Sequence, residues 1–185
     1  MFRISQYMRE LAHAEQTGHY PEVRERKARG PVVIWNLIRR CNLTCKHCYA
    51  LSADHDYVGE LTLPEVFTVM DDLKGFGVPA LILSGGEPLL RPDIFEISAQ
   101  ARKLGFYTGL STNGTLIDRP LAQRIAQEGF DYVGISLDGL KPTHDKFRRL
   151  DGAFDRSLAA VRFLAEFGVK VGLRFTMTAM NAHDL

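Results

Sequence analysis

This sequence predicts an α/β fold on a parallel sheet, a partial (β/α) barrel that stops after about its fifth strand. Five nearly continuous apolar runs alternate with helical patterns, the order that builds a parallel sheet with right-handed crossovers. Gly77, Gly105, Gly129 and Gly168 each fall where a helix hands over to a strand, the usual place of a left-handed helix cap. Polar or glycine-rich signatures follow four of the five runs. In parallel α/β folds those strand ends carry the active site.

The elements follow in order. Ile4, Tyr7, Met8 and Leu11 recur at helical spacing, which predicts a short amphipathic helix on the outside of the fold. The dense mixed-charge run over residues 22–29 reads as a solvated linker. Residues 1–30 thus form a leader, and residues 31–185 the core. Val32-Val33-Ile34-Trp35-Asn36-Leu37-Ile38 is the first run, apolar enough for a strand buried on both faces. Thr62-Leu63-Pro64-Glu65 reads as a capping box, and Val66, Val69, Met70 and Leu73 give the helix behind it one apolar face.

Ala80-Leu81-Ile82-Leu83 is the second strand, backed by a helix marked by Ile94, Ile97, Ala101 and Leu104. Phe106-Tyr107-Thr108-Gly109-Leu110 is the third, and Pro120, Leu121 and Ile125 mark the helix after it. Tyr132-Val133-Gly134-Ile135-Ser136-Leu137 is the fourth, and the helix after it shows Phe154, Leu158, Val161, Leu164 and Phe167. The fifth strand covers residues 169–175, with Arg174, Thr176 and Thr178 in alternation. A closed barrel wants at least one more strand, so the chain reads as truncated or as covered at its open edge by a partner.

Composition narrows the function classes. The chain has 185 residues, 45% hydrophobic and 24% charged, enough for one domain with its own core. A formal net charge of +1 gives no field to recruit nucleic acid or an anionic membrane. No apolar run reaches transmembrane length, and no secretory signal core opens the chain. The 3 cysteines cannot all pair, so a reducing cytoplasm suits them better than an oxidising compartment.

Those cysteines sit together in Cys41-Asn42-Leu43-Thr44-Cys45-Lys46-His47-Cys48. An iron–sulfur cluster normally takes four thiolates. Three would leave one iron open, as a metal that does chemistry requires. A structural zinc site with His47 or a remote group as fourth ligand is the alternative. Its paired C-x2-C knuckles are missing, and no second cysteine pair exists. At the later strand ends lie Ser84-Gly85-Gly86-Glu87-Pro88, Ser111-Thr112-Asn113-Gly114 and Ser136-Leu137-Asp138-Gly139.

The cysteine loop resembles the signature of the radical S-adenosylmethionine (SAM) enzymes, and the fold this implies is a (β/α)6 radical SAM barrel. The resemblance implies a [4Fe-4S] cluster on Cys41, Cys45 and Cys48, whose open iron chelates the amino and carboxylate groups of SAM. Reductive cleavage of SAM then gives a 5′-deoxyadenosyl radical, the cofactor doing the chemistry and the protein positioning it. It further implies that His47 lies against the adenine. Gly85, Gly86 and Glu87 would meet the SAM amino group, Glu87 through a charge-assisted bond. Ser111, Asn113 and Ser136 would meet the ribose or the methionine end. Asp138 could join them, although Asp-Gly after a strand is equally plain turn chemistry. Arg174, a charge in an apolar strand, needs a partner: a carboxylate of SAM or substrate, or a barrel acid.

Phe2 through Tyr7, Gly30 through Tyr49, Leu81 through Ile97 and Val171 through Thr176 are similar to a narrower subgroup, the radical SAM proteins of haem d1 biosynthesis. That resemblance implies removal of propionate side chains from 12,18-didecarboxysiroheme, with an electron donor such as flavodoxin or ferredoxin. Arg39, Arg40, Lys46, Arg91 and Arg174 are then candidates for its carboxylates. Members of the subgroup are about twice as long and carry cysteines for an auxiliary cluster, so the chain is expected to be incomplete as a catalyst. A radical SAM peptide-maturation enzyme and a non-catalytic iron–sulfur or zinc-binding remnant are the alternatives.

Overall fold

The computed structural model describes residues 4–18 and 30–184; the charged run over residues 22–29 lies outside them. Five parallel strands form one sheet in sequential order: β1 (Val32–Ile38), β2 (Ala80–Gly85), β3 (Tyr107–Thr112), β4 (Tyr132–Ser136) and β5 (Val171–Arg174). Six helices accompany them: α1 (Ile4–Thr17), α2 (Leu63–Gly75), α3 (Ile94–Lys103), α4 (Arg119–Glu128), α5 (Lys141–Arg148) and α6 (Ala153–Glu166). This is the partial α/β barrel the alternation predicts, with every strand where an apolar run stands.

The two faces of the sheet follow from strand alternation. Leu81, Leu83, Leu110, Val133 and Ile135 point towards the helices and are buried. They pack with Val66 and Met70 of α2, Ile94 and Ile97 of α3, Ile125 of α4 and Leu164 of α6. Residues of the other parity face the inside of the curve. Towards the strand ends these are Ile34, Ser84, Ser111, Ser136 and Arg174, mostly small or polar. The core therefore lies between sheet and helices, and the concave face is free to bind.

Local chemistry fixes the element ends. The Glu65 carboxylate accepts from the N–H and the hydroxyl of Thr62, each at 2.8 Å, which closes the start of α2. Asp118 accepts from the Leu121 N–H at 2.9 Å at the start of α4. Gly77, Gly105, Gly129 and Gly168 all have φ between 68° and 85°, the left-handed conformation that only glycine takes cheaply.

Four features differ from the expectation. β1 is not buried on both faces, since Val32, Ile34 and Asn36 on its concave side are exposed. Met8 is exposed while Ala14 is buried, so the packed side of α1 does not run through Met8. β5 spans four residues rather than seven. Helix α5 has no counterpart in the apolar pattern, because its buried residues are His144, Phe147 and Arg148. Their spacing is helical, but two of the three are polar. Pro142 in its first turn was the available start signal.

Candidate active site

The C-terminal strand ends enclose a cavity of about 340 Å³. Cys41, Cys45, His47, Cys48, Gly85, Gly86, Ser111, Asn113, Ser136 and Arg174 all line it, so residues scattered over 134 positions of sequence meet at one place. Of the sequence-predicted candidates, Glu87 and Asp138 do not line it, nor do Arg39, Arg40, Lys46 and Arg91.

The cysteine loop leaves β1 and folds over the sheet. Its first anchor is the Cys41 N–H, which donates to Ala53 O at 3.1 Å; its second is the Lys46 N–H, which donates to Phe147 O at 2.9 Å. All three thiols are free, and each sulfur accepts a different hydrogen bond. Cys41 Sγ accepts from Leu43 N at 3.4 Å, Cys48 Sγ from Ser52 N at 3.5 Å, and Cys45 Sγ from Arg148 Nη1 at 3.5 Å. Burial pushes the Cys41 thiol up to about 11. It raises Cys45 too, against the pull of Arg148. At Cys48 burial also pushes upward, but the N–H groups of Ser52, Ala50 and Leu51 outweigh it and set the thiol below its usual value.

Among the described residues no three His, Cys, Asp or Glu side chains converge as one metal ion requires. A four-iron cluster takes its cysteines on different irons, so spaced thiols around one cavity fit it better than a zinc ion bound with His47. Three buried polar atoms of cavity-lining residues, His47 Nδ1, Ser52 Oγ and Arg148 Nε, lack a protein partner, as expected beside a ligand that completes the site.

Gly85 and Gly86 are required by packing. A Cβ on Gly85 would lie 2.3 Å from Ile38 O, and one on Gly86 would lie 2.4 Å from Arg39 O and from Arg40 O. The motif is thus pressed against the backbone that leads into the cysteine loop. The N–H groups of Gly86 and Glu87 donate to Ile38 O and Arg40 O at 2.7 and 2.9 Å. An ammonium group only donates, so what the motif can offer it is carbonyl oxygens.

Two side chains differ from their expected roles. The Glu87 carboxylate is fully buried and accepts from Thr112 Oγ1 and Asn113 N at 2.8 Å and from Leu89 N at 3.1 Å. It ties β2 to β3 instead of reaching a ligand. Asn113 spends both lone pairs of Oδ1 on Thr115, and Nδ2 donates to Asn42 Oδ1 at 2.9 Å and to Cys41 Sγ at 3.9 Å. Its amide has no spare capacity, so it holds the cysteine loop to the end of β3.

The arginines also divide. Arg40 pairs with Asp54 and Asp56. Arg91 is buried, pairs with Asp93 and donates to Leu37 O and Leu61 O, which makes it a clamp on the β1 end. Arg39 lies over the Tyr57 ring and donates to Ala50 O. Arg174 donates to the Ser111 hydroxyl and has no acid within ion-pair distance among the described residues. Its guanidinium crosses β4 where Gly134 leaves space: a Cβ there would be 2.5 Å from Arg174 Nε.

Sequence reasoning missed α5, and with it Arg148. Arg148 Nη2 donates to Asp138 Oδ2 at 2.5 Å, and His47 Nε2 stands 3.4 Å from the same oxygen. The His47 ring lies 5.3 Å from that of Phe147. Asp138, read as turn chemistry or a ligand contact, is fully buried and is the anion of this cluster.

Comparison with known proteins agrees with the geometry. The chain is 52% identical to the pre-heme d1 synthase of Dinoroseobacter shibae, over 100% of this chain and 45% of that protein. It is 48% identical to the Fe-coproporphyrin III synthase of Methanosarcina barkeri, over 86% of this chain and 40% of the relative. It thus spans less than half the length of the curated relatives it matches. A solved structure of native anSMEcpe with bound AdoMet superposes with a TM-score of 0.63 at 26% identity, covering 77% of this chain and 42% of the other. The family model of the radical SAM superfamily matches residues 35–184, which takes in the cysteine loop and all five strand ends: the chain belongs to the radical SAM superfamily, whose enzymes use a [4Fe-4S] cluster and SAM.

Proposed function

We propose that this chain is the SAM-cleaving part of a tetrapyrrole-modifying enzyme, one that removes propionate side chains from 12,18-didecarboxysiroheme. The observation that carries the reading is the convergence of three free thiols, the Gly85-Gly86 backbone and two guanidinium groups on one cavity. Cys41, Cys45 and Cys48 would hold the cluster, and the carbonyls of the glycine motif, Ser111, Ser136 and His47 would hold SAM. The chemistry these cofactors supply when bound is homolysis of SAM to a 5′-deoxyadenosyl radical that takes a hydrogen atom from substrate.

The chain's own residues bind, orient and shield. The cavity is at the small end of ligand sites, which suits SAM, so a tetrapyrrole would lie across its mouth. Arg174 and the exposed Lys46 are the cations free to meet substrate carboxylates. The names of the two haem-pathway relatives support this substrate class. A reducing cytoplasm and an electron donor such as flavodoxin or ferredoxin belong to the same reading.

Anaerobic incubation of the reconstituted chain with SAM and a reductant tests it. Deoxyadenosine is expected, with more formed when didecarboxysiroheme is added and the tetrapyrrole losing mass as propionate side chains leave. Deoxyadenosine formation that ignores the tetrapyrrole would contradict the substrate assignment and leave the SAM chemistry standing.

A further inference from the structure

Arg148 is the one full charge hydrogen-bonded to a cysteine sulfur among the described residues. Cys41 and Cys48 accept from backbone N–H groups and from the Asn113 amide, all neutral. Cys45 accepts from the Arg148 guanidinium at 3.5 Å. The Arg148 side chain is 9% exposed and that of Asp138 is 0% exposed, so the pair lies in a low-dielectric setting where charges act strongly.

Asp138 is held from several sides. Its Oδ1 accepts from Thr176 N at 3.1 Å, its carbonyl from Asn181 Nδ2 at 3.0 Å, and its own N–H donates to His144 Nδ1 at 3.1 Å. The groups facing Arg148 are therefore fixed by the end of β5, by α5 and by the cysteine loop together. Such an arrangement is costly to build for packing alone, since a buried ion pair contributes little net stability.

We infer that Arg148 and Asp138 form a buried charge pair that sets the reduction potential of the cluster through the Cys45 sulfur. The inference rests on the reading that Cys41, Cys45 and Cys48 hold a four-iron cluster, in which Cys45 Sγ is a thiolate bound to iron. Reduction adds negative charge to the cluster, and a cation bonded to a ligand sulfur favours that state. Hydrogen bonds, net charge and burial around the sulfurs are the protein's means of tuning such potentials. Asp138 works against the cation, so the two residues pull the potential in opposite directions. Arg148 is a positioning residue here, acting through Cys45 and not on the reacting atoms.

The test is a redox titration of the reconstituted 185-residue chain without SAM, followed by electron paramagnetic resonance. Arg148→Gln is expected to disfavour reduction at least tenfold, a negative shift of ~59 mV for a one-electron couple. Arg148→Lys keeps the charge and stays nearer the wild-type potential. Asp138→Asn moves the potential the other way. Arg149→Gln, a change at the exposed neighbour, leaves it alone. Equal potentials in wild type and Arg148→Gln overturn the inference, as do shifts of the same sign in Arg148→Gln and Asp138→Asn, which would report a loosened loop. If Arg148→Gln holds no cluster, the sign of the Asp138→Asn shift decides: positive supports the pair, zero or negative overturns it. A wild-type chain that forms no four-iron cluster overturns the cluster reading and this inference with it. A loaded cluster with unresponsive potentials overturns this inference alone.

Discussion

At the scale of single residues, the glycines beside the cavity are as constrained as the cysteines. Gly86→Ala would drive a Cβ into the carbonyls of Arg39 and Arg40, atoms of backbone that cannot swing aside. A loss of about 1–3 kcal/mol is expected from such overpacking, read by urea denaturation, with poorer iron loading because the displaced segment leads into Cys41. Cys45→Ala would remove one of the three thiols proposed to hold the cluster. Iron content should fall and deoxyadenosine formation should drop to background.

Two buried titratable groups give opposing slopes of stability with pH. Burial, with Arg148 nearby, holds the His144 pKa down to about 4. Unfolded, the same group titrates near ~6.5, so the unfolded chain binds the extra proton between those values. His144 therefore contributes stability that is present above ~6.5 and is lost as pH falls to about 4, on the order of 3 kcal/mol in full. Glu87 is pushed up to about 7 by burial, against its three hydrogen bonds. Here the folded state binds the extra proton, and stability falls as pH rises from ~4.3 to about 7. The two contributions oppose each other across most of that window. In His144→Gln the Glu87 slope should stand alone, and in Glu87→Gln the His144 slope. Denaturation curves at several pH values check this, and parallel curves for all three proteins would contradict it.

At the scale of elements, the strands were legible because each is written as a nearly continuous apolar run, although the helices cover only one face of β1 and leave Val32 and Ile34 on the other exposed. Among the helices between the strands, four were legible from their 3.6-residue stripes and their capping signals. Helix α5 was not, since a helix that buries His144, Phe147 and Arg148 has no apolar stripe to find. Its task is polar: it carries Arg148 to Cys45, Phe147 to His47 and Asp145 to the start of α6, where the carboxylate accepts from Gly152 N and Phe154 N at 2.9 and 2.8 Å. Phe147→Ala should cost about 3–5 kcal/mol and free the cysteine loop. Limited proteolysis near Lys46 checks that. Thr62→Ala, at the exposed cap of α2, should cost only about 1 kcal/mol and leave iron loading unchanged.

At the scale of the whole molecule, function lies in the curve of the sheet. Sequential parallel order puts every strand's C-terminal end on one rim. The small residues Ser84, Ser111 and Ser136 on the concave face leave room there, and Gly134 lets Arg174 cross it. The cysteine loop, the glycine motif and the strand-end serines were readable because each occupies the end of a readable strand. The Arg148–Asp138–His47 cluster was not, because it joins three elements that only the folded chain brings together. At the two edges Ile34 on β1 and Leu173 on β5 stand 62% and 58% exposed, and the chain spans 45% of the length of the pre-heme d1 synthase it matches.

Three cysteines are proposed to hold a four-iron cluster with one iron open to SAM. The most direct measurement is the electron paramagnetic resonance spectrum of the anaerobically reconstituted, reduced chain, recorded with and without SAM. About four irons per chain are expected from the ligand logic of such clusters, with a spectrum that changes when SAM is added. A chain that takes up zinc in place of iron, or a cluster whose spectrum ignores SAM, would contradict the proposal.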